Sequence, residues 1–81
     1  MTDEERQLWR ETLGELEQQM TKATFATWLK GSQLHLNGAG AQVLVRNNYA
    51  ADWINGRLAA TVTQTLSTIA GRQLPITAVC L

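Results

Sequence analysis

Hydrophobic positions recur along this chain at two different periods, and the switches between them divide it into elements. The longest run at the helical period covers residues 47–69, NNYAADWINGRLAATVTQTLSTI. At 100° per residue, Ala51, Ile54, Leu58, Val62, Thr65 and Ile69 form one stripe, with Leu66 at its edge. Asn47 or Asn48 supplies an N-cap, whose side-chain oxygen accepts from the free amides of the first turn. Gly71, with Pro75 shortly after it, supplies the stop. Tyr49, Trp53 and Arg57 stand outside the stripe. Their i, i+4, i+8 spacing makes a second ridge more than about 90° away. The pattern thus predicts one helix with a core face and an aromatic–basic face.

The same period opens the chain. Thr2 or Asp3 caps a first helix that runs to about Gln19, and acids in its first turn suit the positive end of the helix dipole. Trp9, Leu13, Leu16 and Met20 repeat at i, i+4, i+7, i+11, which marks one buried stripe with Leu8 at or beyond its edge. Gly14 falls on the polar side, where it costs up to about 1 kcal/mol against alanine. Thr21 caps a short second helix over residues 22–29, docked by Phe25, Trp28 and Leu29. From Ser32 the period falls to 2. Leu34 and Leu36, then Val43 and Val45, alternate with polar partners around Asn37-Gly38-Ala39-Gly40, predicting a β-hairpin whose glycines take positive φ. Residues 74–79 close as a third strand, with Pro75 suited to an edge. The order is α-α-β-β-α-β. The expectation is an α+β fold, one domain over residues 1–81, with a three-stranded sheet packed by helices on one face. The chain reads as a trimmed domain or a piece of something longer.

Composition narrows the chemistry. A single cysteine, Cys80, forbids an internal disulfide, and with His35 the only histidine no metal-ligand set is expected. The residues after Met1 are acidic, without an apolar signal region, and no apolar run reaches the roughly 18 residues of a membrane span. A soluble cytoplasmic domain follows. Net charge is zero, but residues 1–20 carry −4 and residues 21–81 carry +4. That division suits head-to-tail association or a modest basic face for a polyanion, and it suits an inconsequential solvated surface equally well. The Gly-rich turn lacks the phosphate-loop pattern and leads into a strand. His35 reads as a lone surface imidazole, and the acids of the first helix as solvated surface. No catalytic constellation converges, and neither an enzyme nor a cofactor is expected.

Three segments carry a resemblance: Leu8-Trp9; Thr21 through Phe25 to Trp28-Leu29; and Asn47 through Tyr49 to Asp52-Trp53-Ile54. With their order and spacing, nearly the whole chain resembles the N-terminal domain (domain I) of bacterial chromosomal replication initiators of the DnaA family. The resemblance implies a K-homology-like fold and a non-catalytic protein–protein interaction module. It implies self-association, recruitment of the replicative helicase, reception of initiation adaptor proteins and, in some members, weak contact with single-stranded DNA. By position, Trp9 matches the family's self-association tryptophan, with Leu8 beside it, and Tyr49 matches an aromatic that contacts helicase. Thr24 stands where the family has an acidic residue that contacts helicase and DNA, so the carboxylate is absent here.

The residues themselves leave alternatives open. Trp53 is either covered by a second layer, such as the Trp28 helix, or free. Tyr49, at a helix start beside Asn48 and Arg46, makes an exposed anchor with area to bury and a hydroxyl to satisfy. Gly56 leaves a flat spot on that side. Trp9 is core by spacing, yet in the first turns the stripe can overshoot the sheet and leave the indole free for a second copy. Lys30, Arg46 and Arg57 with Tyr49 form the rival reading, a weak and salt-dependent track for single-stranded DNA. Against it, the helix junction Gln19-Met20-Thr21-Lys22 lacks the GxxG clamp of K-homology domains. The same module reused in another replication or regulatory protein is the remaining alternative.

Overall fold

A computed structural model describes all residues, 1–81. The helices are α1 (Asp3–Gln19), α2 (Lys22–Trp28), α3 (Asn48–Trp53) and α4 (Ala59–Ala70), and the strands are β1 (Gln33–Asn37), β2 (Gly40–Val45) and β3 (Ile76–Cys80). A π-helical turn, Ile54–Leu58, joins α3 to α4, so the long helix expected from the periodicity is one rod with an extra residue in its middle. The α+β order α-α-β-β-α-β is as expected. The sheet runs β1-β2-β3, antiparallel between β1 and β2 and parallel between β2 and β3. Leu34, Val43 and Ala78 lie in one row across its inner face, and Leu36, Ala41 and Ile76 in the next. Against them pack Trp9 and Leu16 of α1, Leu29, and Ile54, Val62 and Leu66 of the long rod.

Capping explains most boundaries. Thr2 and Glu5 form a reciprocal capping box on α1. The Thr21 hydroxyl accepts from the Thr24 amide, and the Asn47 side chain from the Ala50 amide. Gly71 ends α4 in the left-handed conformation, at φ +75°.

The π-turn corrects the simple helical stripe. In an unbroken α-helix Leu66 would fall about 120° around from Ile54, which is why it reads as an edge position. One additional residue in the turn removes about 100° of that offset, bringing Ile54, Val62 and Leu66 within roughly 40° of each other. All three are fully buried, whereas Leu58 and Ile69 are only half-buried.

The hairpin turn is corrected too. Positive φ occurs at Gly31 and Gly71, not at Gly38 or Gly40. The turn is tightened instead by Asn37, whose Oδ1 accepts the Gly40 amide at 3.0 Å. Gly40 is required for a different reason: a Cβ there would meet the Pro75 carbonyl oxygen at 2.6 Å. The third strand also begins later than expected, after Pro75. Nothing in the structure explains Gly14, around which an added Cβ meets open space.

Both sheet edges are closed by side chains. On β1 the Leu36 amide donates to Glu5 Oε2 at 2.7 Å, and the Leu34 amide meets the Met1 sulfur at 3.3 Å. On β3 the Ile76 amide donates to Thr63 Oγ1, and Ala78 bonds to Asn55 through both its N–H and its C=O. Exposed strand edges invite pairing with other chains, and these contacts deny it.

Candidate functional site

The two ends of the helical layer treat their aromatic residues differently. Trp9, in α1, is 2% exposed, and its indole N–H donates to the Ser32 carbonyl and hydroxyl, each at 3.2 Å. Of the two readings of Trp9, the structure shows the buried one. The α1 stripe lies over the sheet from its first turns, and the β1 approach at Ser32 covers the ring. Leu8 stays half-buried and lines a shallow groove with Glu4, Gln7, Glu11, Ala70 and Arg72.

At the other end, α2 and α3 bring three aromatic rings together. Trp28 and Trp53 stack with centroids 4.4 Å apart and planes within 10°. Tyr49 makes a T-shaped contact with Trp28, with centroids 5.5 Å apart and planes at 70°. Arg57, in the π-turn, sets its guanidinium carbon 5.5 Å from the Trp53 ring centre. Such aromatic pairs contribute about 0.5–1.5 kcal/mol each, and an exposed cation–π contact about 0.5–1 kcal/mol. Trp53 is thus covered by the α2 helix, one of its two readings. Tyr49 is 70% exposed, although the Asn47 cap fixes the helical turn that carries it. Its neighbours Arg46 and Asn48 are exposed as well. Thr24 lies one helical turn before Trp28, where its hydroxyl accepts from Thr21 Oγ1 at 2.9 Å.

Lys30 and Arg46 meet at a cleft of about 400 Å³ between the end of α2 and the β2–α3 junction, beside Trp28, Gly31 and Asn47. Neither cation is paired with a carboxylate: the one such pair is Arg6–Asp3, and His35 stands beside Glu5. Arg57 does not line this cleft. Lys30 and Arg46 are therefore brought together, while Arg57 belongs to the Trp53 ring.

Sequence reasoning missed three residues. Trp28 is the centre of the aromatic cluster, whereas its helical spacing with Phe25 and Leu29 marks it only as a docking residue. Asn55 reads as an ordinary polar helix position. Glu5 reads as surface, yet it is 6% exposed, with Oε1 accepting the Thr2 amide at 2.8 Å and Oε2 the Leu36 amide. Those two amides, Thr2 first, hold its carboxyl below the ordinary value of 4.5, against the opposing effect of burial, and His35 Nδ1 stands 3.4 Å away. No group of three His, Cys, Asp or Glu side chains converges to hold a metal ion.

The DnaA N-terminal domain model matches residues 6–68, which span every aromatic residue described above. The chain belongs to the DnaA N-terminal domain family. Among its relatives is the chromosomal replication initiator protein DnaA of Thermomicrobium roseum, 35% identical over 72 residues. That alignment takes in 88% of this chain and 16% of the relative, so the chain spans about a sixth of that protein's length. The matched residues include the Thr21-to-Trp28 and Asn47-to-Trp53 segments, which lie on the two elements that build the aromatic cluster. No helix is long and apolar enough to cross a membrane.

Proposed function

We propose that this domain is a non-catalytic interaction module of a bacterial replication initiator, which holds copies together and offers its Tyr49 face to the replicative helicase. The observation that carries this reading is an aromatic ring 70% exposed yet packed against a second ring. Tyr49 makes a T-shaped contact with Trp28, which is itself stacked on Trp53. A partner that covers Tyr49 gains apolar burial against a ring that already packs on Trp28. Asn48, Arg46 and Thr24 supply the polar rim. The relative's name, a chromosomal replication initiator, supports the setting. Initiation adaptor proteins are partners of the same class. Self-association is assigned to the Leu8 edge of α1, with Trp9 beneath it as support.

A second reading is favoured by the unpaired Lys30 and Arg46 beside an aromatic surface, a combination that suits a weak single-strand track. An amide chemical-shift titration separates the two. The ligands are the helicase's N-terminal region and, separately, a short oligo-dT at low and moderate salt. Shifts centred on Arg46–Trp53 with the helicase and little response to oligo-dT uphold the docking reading. Shifts confined to oligo-dT that vanish with salt replace it with nucleic-acid binding.

A further inference from the structure

We propose that Asn55 is a positioning residue for the aromatic face, through which edge strand β3 fixes the π-turn that follows Trp53 and carries Arg57. The proposal rests on the docking reading above for its functional consequence and on geometry alone for the positioning. Asn55 lies midway between Trp53 and Arg57 in the π-turn. Its Nδ2 donates to the Ala78 carbonyl at 2.9 Å, and its Oδ1 accepts the Ala78 amide at 2.8 Å. One side-chain amide thus imitates the backbone of a neighbouring strand and satisfies a donor and an acceptor on the open side of β3. Only a carboxamide offers both groups at this reach. Aspartate would set a carboxylate against a carbonyl oxygen, and alanine would leave both Ala78 groups without a protein partner.

The turn needs such a hold. A π-turn carries one residue more than an α-turn and persists where its surroundings favour it. The buried Ile54 grips this turn from the core side, and Asn55 grips it from the sheet edge. If the turn relaxes, α3 rotates by up to about 100° relative to α4, which carries Trp53 off Trp28 and Arg57 off Trp53. Thr63 provides an internal comparison. It closes the same strand edge by accepting the Ile76 amide at 3.1 Å, but from α4, outside the turn.

The test reads the Trp28–Trp53 stack directly, as the exciton couplet that two stacked indoles give in far-ultraviolet circular dichroism, alongside thermal unfolding of the whole chain. Asn55→Ala is expected to lose the couplet while unfolding cooperatively, and Thr63→Val to keep it. A folded Asn55→Ala protein with its couplet intact overturns the proposal. If Asn55→Ala does not fold, Asn55→Asp, which retains the acceptor for the Ala78 amide, is read by the same criteria. If both unfold while Thr63→Val folds, Asn55 is a general requirement of the fold, and the positioning proposal is overturned. Helicase titration of the same variants keeps the two readings apart. A lost couplet with unchanged helicase affinity leaves the positioning in force and takes the Trp28–Trp53 stack out of the docking reading.

Discussion

The two tryptophan regions differ in what their surroundings ask of an indole. At the α1 end, Trp9 is sealed against β1 with its N–H bonded to Ser32, so ring and polar atom are both spent on the fold. At the α2–α3 end, Trp28 and Trp53 are half-buried, satisfy each other by stacking and support a Tyr49 that remains open. The same residue type is a core component in one region and a platform in the other. The difference comes from the sheet. Trp9 lies over β1, whereas Trp53 lies on the side of its helix away from the stripe that contacts the strands.

The comparison breaks most readily at Trp9. Truncating a buried aromatic typically costs about 3–5 kcal/mol, a large fraction of the stability of so small a domain. Trp9→Ala should therefore unfold the chain or move its urea midpoint far down. Trp9→Phe should recover most of that loss and leave the Ser32 groups without their donor. A Trp9→Ala domain as stable as the parent would show that Trp9 belongs with the exposed aromatics after all, and would return it to the self-association surface.

Next in size is Glu5, the polar counterpart of Trp9 at the same end. Glu5→Ala leaves the Leu36 and Thr2 amides without their acceptor, at about 1–3 kcal/mol. Its carboxyl lies below 4.5 in the folded chain and rises to that ordinary value on unfolding. Between the two values the unfolded state binds the extra proton, so stability rises with pH there. The Glu5 contribution is complete above 4.5 and is lost as the pH falls through the lowered folded value. Unfolding free energies of parent and Glu5→Gln across this acid range should converge as the pH drops. Parallel curves would mean that the carboxylate is not held as the structure indicates.

These two residues also mark where the sequence is legible. Trp9, Leu16, Leu34, Val43 and Ile54 follow from periodicity, because a face that repeats must be buried and the sheet is the only cover. The caps at Thr2, Thr21, Asn47 and Gly71 follow from local chemistry for the same reason: donor and acceptor are three or four residues apart. What is hidden depends on distant chain. Glu5 gains its meaning from an amide 31 residues away and Asn55 from a strand 23 residues away. No local pattern announces a π-turn, and without it Leu66 cannot be moved from the edge of the stripe to its centre. At the candidate site, Tyr49 and Trp53 stand out because they depart from the stripe. Trp28 does not, because it fits a helical face that is itself only half-covered.

A smaller effect is expected at the platform. Trp53→Ala removes a stacked partner worth about 0.5–1.5 kcal/mol together with part of a half-buried surface. Its cost in urea denaturation should fall clearly below that of Trp9→Ala. The Trp28 indole should respond in both fluorescence and its N–H chemical shift, since it loses the ring that covers it. Equal destabilisation by the two substitutions would erase the distinction between core and platform.

The least effect on stability, and the greatest on binding, is expected at Tyr49. Its side chain is mostly in water, so Tyr49→Ala should change the unfolding free energy by about 0.5 kcal/mol, near the limit for surface substitutions, with a small further loss from the Trp28 edge contact. If Tyr49 anchors a partner, the same substitution should weaken helicase binding by about 2 kcal/mol, roughly thirtyfold, as truncation of interface hot spots does. Tyr49→Phe separates the two properties of the residue: it keeps the ring against Trp28 and removes only the hydroxyl. Isothermal titration of the three proteins against the helicase's N-terminal region provides the comparison. Loss in Tyr49→Ala with retention in Tyr49→Phe assigns the affinity to the ring. Loss in both assigns it to the hydroxyl, and retention in both means that the most exposed ring of the platform is not what the helicase meets.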